Sequence, residues 1–143
     1  MKDIVKKPAI IVSSFDERRL TALATDGLTR FPEVAGELLA EMERAQIQAA
    51  QAMPATVVTM GSVVVFRSDD GRTRRVSLVF PGQADIAQGK ISILTPIGTA
   101  LIGLSVGQSI TWGTRDGRRR ELTVLSVEPR AVEPPADDTA AYT

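Results

Sequence analysis

The chain has 143 residues, with 17 basic and 17 acidic side chains, 43% hydrophobic residues, and neither cysteine nor histidine. That size suits one core, or one small domain with an extension, and the charge balance removes any global positive field for holding nucleic acid. The absent residue types exclude disulfides, thiolate nucleophiles, structural zinc sites and histidine bases, and no apolar run approaches the ~18–20 residues of a membrane span.

The start is basic through Lys2, Lys6 and Lys7, but the apolar stretch Ala9 to Val12 is too short for a signal-peptide core, so a cytoplasmic location is expected. Ile10, Ile11 and Val12 read as an extended lead-in, and Ser14 with Glu17 reads as a capping box opening a helix. Leu20, Leu23 and Ala24 give that helix its apolar side until Asp26-Gly27 ends it. Pro32 suits the first position of a second helix. Its apolar stripe is Val34, Leu38, Met42 and Ala45, flanked by Ala35, Leu39 and Gln46, with Glu33, Glu37, Glu41, Glu43 and Arg44 opposite. Residues 14–50 therefore predict a short antiparallel helical hairpin, with helices of about ten or eleven residues spanning ~16 Å. Pro54 closes it.

From Val57 the pattern turns to β-branched runs: Val57 to Met60, Ser62 to Arg67, Arg74 to Phe80, Lys90 to Leu94, Ser109 to Trp112 and Glu121 to Val127. Asp69-Asp70-Gly71 and Arg115-Asp116-Gly117 are hairpin signals, which predicts an antiparallel meander. Between its strands, Pro96 to Leu104 can form one short helix turning Ile97, Ala100, Leu101 and Leu104 to the sheet. The fold class is then α+β: lead-in and helical hairpin over 1–54, an antiparallel sheet wrapped around one helix over 55–128, and a proline- and aspartate-bearing tail over 129–143 expected to be disordered.

The segment Ile91-Ser92-Ile93-Leu94-Thr95-Pro96-Ile97-Gly98-Thr99-Ala100-Leu101-Ile102-Gly103 resembles the strand-Ser/Thr-Pro-helix element in the C-terminal domain of the Gre transcript-cleavage factors. The short hairpin, the passage from Met53-Pro54 through Val57 to Met60 into Ser62 to Phe66, and Glu43-Arg44-Ala45-Gln46 narrow the likeness. Together they resemble the nucleoside diphosphate kinase regulator (Rnk) family, short-hairpin relatives of the Gre factors, over roughly residues 9–127. The resemblance implies a coiled-coil hairpin and an FKBP-like domain that bind RNA polymerase. The domain would sit at the rim of the secondary channel, compete with Gre factors and influence nucleoside diphosphate kinase levels only indirectly. Leu94, Thr95 and Pro96 are the implied docking residues, with Leu94 where cleavage factors carry an acidic residue. Asp26, Arg30 and Glu33 are the hairpin-tip candidates. Cleavage factors hold a catalytic magnesium ion with paired acidic tip residues, and neither that pair nor the reach is present here. A non-catalytic protein without metal or cofactor is therefore expected.

Plainer readings stand beside these. Pro96, Gly98, Gly103 and Leu101 serve packing equally well. Arg72, Arg74, Arg75, Arg115, Arg118, Arg119 and Arg120 fit solvated hairpin ends as well as basic contacts. Aromatics are 4% of the chain, too few for a prolyl isomerase pocket. The alternatives to a monomeric polymerase-binding regulator are an adaptor or homodimer acting through the hairpin, and a nucleic-acid module using the arginines. No membrane partner is expected.

Overall fold

The computed structural model of the protein describes residues 7–113 and 117–128. Ile11–Ser13 form a short strand, β1, and helix α1 runs from Ser14 to Gly27. The cap lies one residue earlier than the capping box predicts. Ser13 is still extended as the end of β1, so its hydroxyl accepts the Asp16 N–H at 3.0 Å, while Ser14 is already helical. Glu17 instead accepts the Thr21 hydroxyl at 3.2 Å. Gly27 belongs to the helix and is buried; a Cβ there would meet Ala35 Cβ at 3.6 Å, an ordinary packing distance.

Helix α2, Pro32–Arg44, begins on its proline as expected. It buries Ala35, Leu38, Glu41 and Met42. The stripe thus includes Glu41, assigned above to the solvent face. Its carboxylate survives burial through Arg44 at 2.7 Å and Lys7 at 3.3 Å, and Arg44 also donates to the Pro8 carbonyl. The helix stops short of residue 50. Gln46–Gln48 form β2, which pairs in parallel with β1 in the register Ile11↔Gln46 to Ser13↔Gln48. The helices, at 14 and 13 residues, are longer than expected and span ~20 Å.

Val57 to Met60 does not make a strand. Val57 bridges Ser105 alone, Val58 exchanges backbone hydrogen bonds with Gly103 and Leu104, and Gly61, at φ 88°, turns the chain. The main sheet holds β3 (Val63–Ser68), β4 (Thr73–Val79), β5 (Lys90–Ser92), β6 (Ser109–Gly113) and β7 (Arg119–Glu128), in the order β5-β4-β3-β7-β6. It is not a meander. The ten-residue β7 fills the slot beside β3 and carries β6 on its other edge, while β5 returns through two single-turn 3₁₀ helices to pair in parallel with β4. A register shift between Val65 and Phe66 bends the β3–β7 pair. Helix α3, Pro96–Leu101, ends before Leu104 because the chain turns at Gly103, φ 81°.

One hydrophobic core runs through both halves. Leu20, Ala24, Ala35, Leu38 and Met42 of the hairpin join Val64, Phe66, Leu78, Ile93, Leu101, Leu122 and Val124 in a single buried cluster. Each large side chain fully buried there contributes about 1.5–3 kcal/mol. The hairpin therefore lies on the sheet domain and does not stand free.

Candidate protein-docking site

Residues 92–99 form a turn tied by its own hydroxyls. The Thr95 hydroxyl donates to the Ser92 carbonyl at 2.7 Å and accepts the Gly98 N–H at 3.0 Å, so it caps α3. The Ser92 hydroxyl accepts the Leu94 N–H at 3.0 Å, and the Thr99 hydroxyl donates to the Ile93 carbonyl at 3.0 Å. Only glycine fits at position 98, since a Cβ there would collide with the Ser92 carbonyl oxygen and lie 2.9 Å from Ile93 Cα. Leu94, Thr95 and Pro96 are each half-buried. Thr95 spends its hydroxyl on the turn, leaving its methyl, Leu94 and Pro96 as the surface on offer.

The hairpin tip lies beside this turn. A Cβ built on Gly27 would come within 3.9 Å of Leu94 Cδ1, so the end of α1 lies beside the Leu94-Thr95-Pro96 turn. Asp26, Arg30 and Glu33 are all exposed there, with Asp26 on α1 and Glu33 on α2. The tip also presents Leu28 and Phe31, 40% and 47% exposed, and the Arg30 guanidinium sits 5.5 Å from the Phe31 ring centroid. Sequence reasoning passed over this apolar pair. The available signal was Phe31 before Pro32, where a helix N-cap ordinarily carries a hydrogen-bonding side chain; here none caps α2. The tip is thus mixed, apolar and charged.

Behind it, burial raises the Glu37 carboxyl above its ordinary value, with Glu33 and Glu41 adding to the effect and Lys7 opposing it. At the α1 start, Asp16 accepts the Met60 N–H at 3.2 Å and so ties the helix to the domain. Burial pushes its pKa up against that hydrogen bond and Arg19.

The arginines gather elsewhere, at the sheet end where the β3–β4 turn meets β7. Arg72, Arg74, Arg118 and Arg119 are exposed there and Arg120 bridges Asp69 at 2.9 Å and Asp70 at 3.4 Å, while Arg75, from mid-strand in β4, pairs with Glu128 at 3.0 Å toward the other end of β7. Arg119 and Arg120 belong to β7, which starts earlier than the sequence pattern suggests. The hydrogen bond from Arg120 holds the Asp69 carboxyl below its ordinary value, and the Glu121 N–H adds to this. Arg115 lies outside the described residues, as does the tail beyond Glu128.

The described chain thus sets a short helical hairpin on a curled mixed sheet, with the hairpin tip beside a Thr-Pro helix start. Residues 53–129 match the family described as "Transcription elongation factor, GreA/GreB, C-term", and residues 8–47 match "Rnk N-terminus". Over 125 residues the chain is 37% identical to "Regulator of nucleoside diphosphate kinase" of Escherichia coli K12, covering 87% of this chain and 92% of that protein. The transcription elongation factor GreA of Thermodesulfovibrio yellowstonii is 38% identical over 76 residues, which is 52% of this chain and 48% of that protein. Among solved structures, the "Prokaryotic transcription elongation factor GreA/GreB from Nitrosomonas europaea" superposes with a TM-score of 0.67 at 37% identity, over 85% of this chain and 99% of that one. The chain belongs to the Rnk family of GreA/GreB-related proteins.

Proposed function

We propose that this protein is a non-catalytic regulator that binds RNA polymerase at its secondary channel, competes there with Gre factors, and affects nucleoside diphosphate kinase only indirectly. One observation carries the reading. The tip of the short hairpin and the Leu94-Thr95-Pro96 turn lie side by side: a Cβ built on Gly27 would stand 3.9 Å from Leu94 Cδ1. A single surface thus joins the two features that the family likeness links to polymerase. With helices of ~20 Å resting on the core, the tip stays near the docking surface. Asp26 and Glu33, on separate helices, do not form the paired acidic motif of a cleavage factor. A mixed tip, with Leu28, Phe31 and Arg30 lying between Asp26 and Glu33, suits blocking better than metal-assisted hydrolysis. The domain's FKBP-like character is part of the same reading.

The test is co-purification with core RNA polymerase at physiological salt, followed by transcript cleavage in backtracked complexes. Binding without shortened transcripts, together with displacement of a Gre factor, is the expected result. Failure to bind core enzyme, or magnesium-dependent cleavage on addition of the protein, would overturn the proposal.

A further inference from the structure

The arginine-bearing end of the sheet lies opposite the Leu94 turn. Strand β4 starts there, at Thr73, and runs to Val79, whose partner Ser92 leads into that turn, ~20 Å away. The two acids of the β3–β4 turn are spent on building it. Asp69 accepts Arg120 Nε on one carboxylate oxygen at 2.9 Å and the Glu121 N–H on the other at 3.1 Å. Asp70 accepts the Arg72 N–H at 2.9 Å and faces Arg120 Nη2 at 3.4 Å. Gly71, at φ 85°, closes the turn, and the Asp69 N–H donates to the Glu121 carbonyl at 2.9 Å, which fixes the turn to β7.

On this frame Arg67, Arg72 and Arg74 are exposed, and among the described residues no ion pair or side-chain hydrogen bond engages their guanidinium groups. Arg74 pairs across from the buried Phe66 and shares its face; Arg67, opposite Thr73 and Thr123, takes the other face, with Arg72 in the turn between. Cations therefore surround the end of the sheet. Arg118 and Arg119 add charge from the start of β7, so that with Arg120 six arginines stand against Asp69, Asp70 and Glu121, in a chain whose formal charges balance overall.

The surroundings of these arginines select the partner. A protein interface is organised about an apolar core, and none of the exposed large hydrophobic residues falls within 67–75 or 117–121. Single-stranded nucleic acid is held by stacking on aromatic rings, whereas Phe66 and Trp112, the rings on the neighbouring strands, pack into the core. A duplex needs neither. It offers one phosphate charge per ~1.7 Å of axis, and guanidinium groups take phosphate oxygens in bidentate pairs. We propose that this end of the sheet binds the phosphate backbone of a nucleic-acid duplex, without reading base sequence. The Leu94 turn remains accessible at the same time, and the inference stands whether or not that turn meets polymerase.

Fluorescence anisotropy of a labelled 20-base-pair DNA duplex, titrated with the full chain between 50 and 200 mM salt, tests this. Three guanidinium groups on phosphates set a slope of log K against log salt of about −2.7 or steeper, which weakens binding about 40-fold across that range, equally for two unrelated sequences. Arg74→Gln should make the slope shallower by about one. Arg18→Gln, which removes the same charge from the exposed side of α1, should leave it unchanged. Arg67→Gln, Arg72→Gln and Arg74→Gln together should lower affinity at least about tenfold at 50 mM salt; matching circular dichroism melts exclude loss of the fold. No binding at 50 mM salt, sequence-dependent affinity, or equal losses for Arg18→Gln and Arg74→Gln would overturn the proposal. So would tighter binding of a single strand, or of a polyglutamate peptide of equal charge, the latter assigning the arginines to an acidic protein.

Discussion

Replacing Asp16 separates the two roles that its carboxylate plays. It is 7% exposed, accepts the Met60 N–H at 3.2 Å and lies 4.0 Å from Arg19. Burial raises its pKa, the hydrogen bond and Arg19 only partly offsetting this. A carboxyl whose folded pKa exceeds its unfolded value, about 3.9, takes up protons more readily in the native state. Its ionised form therefore costs stability. The cost is absent below the unfolded pKa and grows as pH rises through the folded one. Asp16→Asn removes the charge and keeps an oxygen for Met60, so it should melt at or above the wild-type temperature at pH 7, with the two converging toward pH 4. Asp16→Ala leaves the half-buried Met60 N–H without its partner, at about 1–2 kcal/mol. For a chain of this size that lowers the melting point by roughly 4 °C per kcal/mol. Circular dichroism melts of the three proteins between pH 4 and 8 make the comparison. If Asp16→Asn loses as much as Asp16→Ala at pH 7, or its difference from wild type does not change with pH, the buried-charge reasoning is wrong.

Thr95→Ala removes the α3 cap and should cost about 1–2 kcal/mol, whereas Thr95→Ser keeps the hydroxyl and should recover most of it; equal melting of Thr95→Ala and wild type would deny the hydroxyl its structural role. Gly103→Ala forces a side chain into φ 81° and brings a Cβ to 2.8 Å from that of Ile10. A loss of about 2–4 kcal/mol is expected in urea unfolding, with faster exchange of the Ile11 amide that donates to Gly103. Changing Leu28 and Phe31 together to Ser should leave the melting temperature within a few degrees, because both are exposed, yet weaken competition with a Gre factor by about 1–3 kcal/mol in apparent affinity. Unchanged competition by the folded double variant would move the contact away from the tip.

Elements with a strong local signal were legible in the sequence: Pro32 at the start of α2, the Asp69-Asp70-Gly71 turn, and Thr95-Pro96 at the start of α3. What could not be read depends on distant partners. Gln46 to Gln48 continues a helical stripe in sequence and becomes a strand only because Ile10 to Ser13, more than thirty residues earlier, offers its edge. Val57 and Val58 have strand propensity but meet a loop, not a ladder. Glu41 looked like a surface residue because Arg44, one turn along the same helix, is an ordinary exposed-face partner, while Lys7, the second cation, comes from far along the chain. Of the site, the Leu94-Thr95-Pro96 turn and the Asp26, Arg30 and Glu33 tip were nameable from motif and turn chemistry. Their adjacency was not, since it arises from tertiary packing that brings the end of α1 at Gly27 beside Leu94.

The parallel pairing of β1 with β2 works as a clasp. It joins the strand entering the hairpin to the strand leaving it, with Gln46 donating to Ile10 at 2.9 Å. The hairpin is thereby a loop whose two feet are fixed to each other, independently of what happens at its far end. Adding matched whole turns to α1 and α2 would advance the tip by ~5.4 Å per turn without altering the clasp or the sheet. Length becomes an adjustable dimension of this architecture, so a single base can carry probes of different depth.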